Sequence, residues 1–258
     1  MRIVRYVGHD GPAMGVVEHK TVFAANGDLF AALAKGDEIG PLASINLMAP
    51  LDPGKIVCVG LNYAALVTER DATRQIPDEP VIFMKPPSAV IGPDQPIEIA
   101  HLDHPTHYEA EVVVVIGRTS RRAPESGALN HVLGYTCGND VSDRTLQGKD
   151  GQRVRAKGFD TYCPLGPWIE TDLDPTSVKV ESRLNGEVRQ SATTADMLFP
   201  IPFLISFISH IMTLHPGDVI MTGTPFGVGP LTPGDVIDVT VGGIGTLRNP
   251  VTARSRIH

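Results

Sequence analysis

His107-Tyr108-Glu109-Ala110-Glu111-Val112-Val113-Val114-Val115-Ile116-Gly117 is the stretch on which the reading of this chain turns. Val112 to Ile116 is an unbroken β-branched run, the signature of a strand buried on both faces. Side chains alternate along a strand, so Glu109 and Glu111, two apart, point the same way. Two carboxylates at the edge of a core repel each other, and burial disfavours the charged form of each. A fold tolerates the pair if the carboxylates share a proton, meet a fixed cation or reach water. A hard divalent metal is the commonest partner of an oxygen-only set.

Outward from that stretch, punctuation is dense. The chain of 258 residues carries 26 glycines and 22 prolines, and short β-rich segments recur between turn signals, so a sheet-dominated α+β fold is expected. Met48-Ala-Pro-Leu-Asp-Pro-Gly-Lys55 reads as a boundary between a small N-terminal region, 1–50, and a larger domain, 51–258. The first part is expected to hold the strand Met1–Tyr6, a hairpin and a helix over Leu29–Ala34. Beyond the boundary, Ile56–Val59 reads as a strand, 64–71 as a helix and Val81–Met84 as a strand. Asn185-Gly186 marks a hairpin, Pro202–Thr213 a helix with an apolar stripe, and Pro216-Gly-Asp218 and Pro233-Gly-Asp235 turns into strands. Asp140 lies where the strand Val132–Cys137 gives way to a helix reaching Gln147. There it is either a helix cap or a third carboxylate beside Glu109 and Glu111.

Composition excludes several classes. A net charge of −7 with no basic stripe argues against a nucleic-acid surface, and Arg118, Arg121 and Arg122 read as a solvated loop. The apolar stretch around Leu198–Ile208 is interrupted by Pro200, Pro202 and Ser206 and does not read as a membrane span. Cys58, Cys137 and Cys163 are scattered without paired spacing, as reduced packing residues of a cytoplasmic protein are. His101, His104 and His107 recur every three residues. The intervening Asp103, Pro105 and Thr106 suggest an irregular loop with no fixed ligand face, which argues against an independent zinc site; His107 is expected to pack near the carboxylates.

Seven blocks then follow one another in order: Gly60-Leu-Asn-Tyr63, Phe83-Met-Lys-Pro86, His107-Tyr-Glu-Ala-Glu111, Gly138-Asn-Asp140, Ala156-Lys-Gly-Phe-Asp-Thr161, Pro164-Leu-Gly-Pro167 and Thr222-Gly-Thr-Pro-Phe-Gly-Val228. Together they resemble the fumarylacetoacetate hydrolase family across residues 52–252, with the first fifty residues similar to its variable N-terminal region. The resemblance implies a mixed β-roll, usually a homodimer, with Mg²⁺ or Mn²⁺ held by Glu109, Glu111 and Asp140. It also implies a small 2-oxo or diketo acid as substrate, which is hydrolysed, decarboxylated or isomerised. All three reactions need charge withdrawn as an enolate develops. On matching positions, Lys85 and Lys157 would line the pocket and neutralise a carboxylate or oxyanion. Gln147 and Thr224 would position substrate or water, and Thr161 would flank the metal with Lys157.

One departure bears on the outcome. Hydrolases of this family commonly read Asn-Tyr-x-x-His-x-x-Glu, the His and Glu together activating water. Here Leu66 stands at the histidine position while Glu69 remains. Leucine takes no proton, so isomerisation or decarboxylation is expected ahead of C–C hydrolysis. A hydrolase with its base elsewhere, or a metal-retaining but catalytically silent binding protein, are the alternatives. The loops 72–79 and 147–155, expected to close the pocket, carry no readable code for the substrate.

Overall fold

The computed structural model describes residues 1–69 and 75–255, with the side chains of 67–69 outside that description. The strand Ala110–Ile116 lies at the centre, every residue of it buried. Ala110, Val112, Val114 and Ile116 face one apolar cluster with Leu204, Ile205 and Ile208 of the helix Ile201–Ile211. Val113 and Val115 face the other way, onto Ile56, Cys58, Leu165, Val219 and Met221. The two-residue period explains both contacts, and each fully buried valine or isoleucine contributes about 1.5–3 kcal/mol.

The main sheet runs, edge to edge, through Ala32–Pro41, Thr21–Asp28, Gly11–Glu18, Arg2–Gly8, Cys163–Glu170, Val132–Asn139, Ala110–Ile116, Val219–Met221, Ile56–Gly60 and Val81–Lys85. Most neighbours are antiparallel, but Val219–Met221 runs parallel to Ile56–Gly60, so the sheet is mixed. A second sheet, ordered Glu187–Thr193, Lys179–Leu184, Val236–Val241, Gly245–Ala253, Ile97–Ile99, packs onto the helix side of the first through Val180, Val239, Val241 and Leu247. A three-stranded piece, Ser142–Asp143, Thr106–Tyr108 and Gly229–Leu231, leads the chain into Glu109. The fold is thus the mostly β, mixed-sheet architecture that the sequence implied.

The first four strands form an antiparallel meander that joins the main sheet where Arg2 and Ile3 pair with Glu170 and Ile169. The helix expected over Leu29–Ala34 is absent. Thr21–Asp28 turns at Leu29–Ala31 and returns as Ala32–Pro41, with Asp28 opposite Ala32. The reason is local. Asp28 Oδ1 accepts from Phe30 N at 2.7 Å, and its carbonyl accepts from Ala31 N, closing a turn where alanine and leucine propensity alone would favour a helix.

The other expected elements stand within a residue or two. The strand Ile56–Gly60 and the helix Ala64–Glu69 follow the boundary, although residue 71, where that helix was to end, lies outside the described residues. Asn185 and Gly186 both take positive φ, 53° and 84°, as the hairpin between Lys179–Leu184 and Glu187–Thr193 requires. Cys58, Cys137 and Cys163 are buried free thiols. No helix among the described residues is long and apolar enough to cross a membrane.

Candidate active site

Sheet register assembles the site. Ala110 pairs with Asn139 and Glu111 with Gly138. Asp140, one residue beyond the paired stretch, donates its N–H to the Glu109 carbonyl at 2.9 Å. Carboxylate oxygens of Glu109, Glu111 and Asp140 therefore lie within 4.8 Å of one another, and all three residues are buried. Asp140 is not the cap of the helix that follows. Asp143 takes that role, its Oδ1 accepting from Leu146 N at 2.9 Å at the start of the helix Arg144–Lys149.

Three cations surround the carboxylates unevenly. Lys157 Nζ donates to Glu109 Oε2 at 2.9 Å and to Asp140 Oδ2. Lys85 Nζ donates to Asp140 Oδ1 at 2.7 Å and to the Val141 carbonyl at 3.1 Å. Arg144 Nη2 donates to Glu109 Oε1 at 2.6 Å, while its Nη1 donates to Gln147 Oε1 at 2.6 Å. Glu111 receives only the backbone N–H of Gly223, at 2.8 Å, and no cation touches it among the described residues.

The titration behaviour follows. Burial would raise the Glu109 carboxyl, but Lys157 and Arg144 outweigh it and hold the group at about 2. Burial pushes Glu111 well above the ordinary range, and the neighbouring Asp140 and Glu109 push it further. Burial disfavours the Lys85 ammonium, yet Asp140 beside it leaves the group raised, hence charged. A buried ionic cluster of this kind stabilises a fold poorly, because desolvation consumes the Coulombic gain. Its donors are all oxygen, its spacing suits a single ion, and one carboxylate lacks a counter-charge; these residues fit a hard divalent cation.

Beside the carboxylates opens a cavity of about 90 Å³, bordered by Glu109, Lys157, Gln147, Thr224, Leu66 and Phe83 among others. That is room for a short acid and not for a drug-sized ligand. Of the residues singled out in the sequence, Lys157, Gln147 and Thr224 reach the cavity. Lys85 does not border it: the ammonium sits behind Asp140, fully enclosed. Thr161 belongs to the scaffold and does not flank the carboxylates, since its Oγ1 accepts from Glu98 N at 2.9 Å. The Glu69 side chain lies outside the described residues. Thr224 Oγ1 donates to the Ala110 carbonyl at 2.9 Å, so the hydroxyl braces the backbone between the two glutamates.

The histidines hold a correction. His101 and His104 do share a target: their Nδ1 atoms lie 3.1 and 2.7 Å from Asp143 Oδ2. Their loop is ordered by that carboxylate, which sequence spacing could not show. His107 lies in the strand Thr106–Tyr108, directly before Glu109.

Two supporting residues escaped the sequence reading. Arg144 follows the cap Asp143, where a charged residue in a first helical turn gives no signal of its target. Gln190 comes from the second sheet. Its Oε1 accepts from Ala110 N and Ser182 Oγ, both at 3.0 Å, and its Nε2 donates to Thr224 Oγ1 at 2.8 Å and the Pro225 carbonyl at 2.7 Å.

A mixed β-roll with three converging carboxylates beside a small polar cavity defines a class, and comparison with known proteins agrees with it. The chain belongs to the fumarylacetoacetate hydrolase family: residues 55–252 match the fumarylacetoacetate (FAA) hydrolase C-terminal description, and residues 1–50 match an Rv2993c-like N-terminal region. It is 48% identical to Protein Rv2993c of Mycobacterium tuberculosis, over 84% of this chain and 82% of the relative. It is 39% identical to the oxaloacetate tautomerase YisK of Bacillus subtilis, over 88% and 84%. Among solved structures, the 2-hydroxyhepta-2,4-diene-1,7-dioate isomerase of Mycobacterium marinum superposes with a TM-score of 0.91 at 41% identity, covering 99% of this chain and all of that one.

Proposed function

We propose that this chain is a divalent-metal-dependent isomerase that interconverts the keto and enol forms of a short 2-oxo acid, with Mg²⁺ or Mn²⁺ held by Glu109, Glu111 and Asp140. One observation supports this above the others. The three carboxylates converge beside a cavity whose lining includes Leu66, an apolar side chain with no proton to give or take. Tautomerisation needs an electron sink and a proton carrier; hydrolysis needs in addition a base for water. The names of the relatives, an oxaloacetate tautomerase and a dienedioate isomerase, point the same way.

A bound divalent ion would supply Lewis acidity, offsetting charge on oxygen as the enolate forms. The protein's own groups do the rest. Lys157, at the cavity wall, faces the acid's carboxylate or developing oxyanion. Gln147, oriented by Arg144, offers its amide N–H groups to the same ligand. Lys85 fixes Asp140 from behind, and Thr224 fixes the backbone at Ala110. Glu69 carries the proton in this scheme.

The test follows oxaloacetate enol–keto interconversion by ultraviolet absorbance, with Mn²⁺ and with EDTA. Acceleration with Mn²⁺ and its loss with EDTA are expected, and oxalate should raise the melting temperature only when the metal is present. Absence of both effects, or cleavage of an acylpyruvate as the faster reaction, overturns the proposal; CO₂ release without interconversion would make the chain a decarboxylase instead. A Leu66→His variant that gains acylpyruvate cleavage would identify Leu66 as the residue that withholds it.

A further inference from the structure

The cavity has a third cation besides Lys157 and Arg144, and it has no carboxylate. Arg153 precedes the short helix Val154–Lys157, in a segment whose sequence gave no hint of substrate. Its guanidinium has no hydrogen-bond or ion-pair partner among the described residues, although Arg144 pairs with Glu109 and Arg155 with Asp150. Arg153 is nevertheless not loose. Its Cζ lies 5.0 Å from the centroid of the Phe83 ring, and a Cβ at Gly60 would fall 2.4 Å from its Nη1. Any other residue at position 60 would push the guanidinium out, so Gly60 and Phe83 form a slot that holds it at the cavity. Lys157 Nζ lies over the same ring at 4.9 Å, so one aromatic side chain positions both cations.

We propose that Arg153 anchors a second carboxylate, at the end of a dicarboxylic substrate remote from its 2-oxo acid head. The inference rests on the function proposed above and narrows its substrate class. Charge supports it. Glu109, Glu111 and Asp140 are balanced by Lys85, Lys157 and Arg144, so a bound divalent ion leaves two positive charges. The enolate of a monocarboxylic 2-oxo acid carries two negative charges and would leave Arg153 unmatched. The enolate of a dicarboxylic one carries three, and Arg153 supplies the remaining positive charge. A planar guanidinium also offers paired N–H groups in the geometry a carboxylate accepts.

The experiment measures binding and not turnover, using two unreactive ligands with the same oxalyl head. N-oxalylglycine carries a second carboxylate; oxamate does not. Each is titrated calorimetrically into the Mn²⁺-loaded wild type, Arg153→Gln and Arg153→Lys. The wild type should prefer N-oxalylglycine by tenfold or more. Arg153→Gln should lose about tenfold of that preference, or about 1.4 kcal/mol, with oxamate affinity and melting temperature unchanged, and Arg153→Lys should recover part of it. An undiminished preference in Arg153→Gln overturns the assignment, as does equal weakening of both ligands. If the wild type binds oxamate but shows no preference, this inference falls and the proposed function stands. If neither ligand binds with Mn²⁺, both fall.

Discussion

Two groups of side chains among the described residues lie at metal-ligand spacing, and they differ in what they lack. In the first, His101, His104 and Asp143 converge. Both Asp143 oxygens are occupied, Oδ1 by Leu146 N and Oδ2 by the two imidazoles, so the group closes on itself and starts a helix. In the second, Glu111 faces two other carboxylates with one backbone N–H for company. Ligand spacing alone would rank the two alike. Unmet valence separates a brace from a site: a structural cluster satisfies its own groups, and a functional one leaves a charge for something else to answer.

Exchanging the residues tests that distinction. The largest effect is expected from Asp140→Asn and Glu111→Gln, which should cut Mn²⁺-dependent turnover on the order of 10²–10³-fold, a loss of the size seen when a stabiliser of developing charge is removed. Asp143→Asn should leave turnover within a small factor of the wild type, and an equal loss there would erase the contrast. Next in size is metal stabilisation. At a hundredfold excess over Kd, Mn²⁺ should add about 2.7 kcal/mol, seen as a rise in melting temperature. That rise should survive in Asp143→Asn and vanish in Asp140→Asn. Smaller again, Asp143→Ala should cost about 0.5–2 kcal/mol through loss of the cap, and Asp143→Asn less, because an amide oxygen still accepts from Leu146.

The gentlest test is pH. Burial works against the Asp143 carboxylate, but the Leu146 N–H, His104 and His101 overcome it and hold the group below its usual value of 3.8. Its contribution is therefore present above that value and lost as pH falls through the folded one. Glu111 is raised above 4.5, so the metal-free protein should lose stability as pH climbs from 4.5 through the folded value. Denaturant midpoints across pH, without metal, should show the second slope flattened in Glu111→Gln and the first flattened in Asp143→Asn. Slopes of the same sign at both positions would remove the physical basis of the contrast.

Much of the site was legible because it is local. Glu111 and the valine run share one strand, Glu109 directly precedes it, and a period of two is enough to group the two carboxylates. From the residues alone Asp140 was legible as either a helix cap or a third carboxylate, and the family resemblance made it a ligand; the pairing of Ala110 with Asn139 is what brings it across. What stayed hidden depends on contacts remote in sequence. The depth of Lys85 follows from its strand lying beside Ile56–Gly60, which places its ammonium behind Asp140. Leu29–Ala34 carries helix-forming residues that a side chain just upstream, Asp28, turns into a hairpin. Arg153 gives no signal until Gly60 and Phe83, far apart in the chain, come together around it.

Gln190 has a consequence of its own. Its oxygen accepts from the Ala110 N–H and its NH₂ donates to the Pro225 carbonyl, so turning it over would set like against like at both of these backbone groups. Glutamate could accept but not donate, and leucine could do neither. The hairpin that presents Gln190 and the loop that carries Thr224 are thereby keyed together, and inherited change in one is admissible only when the other changes to suit.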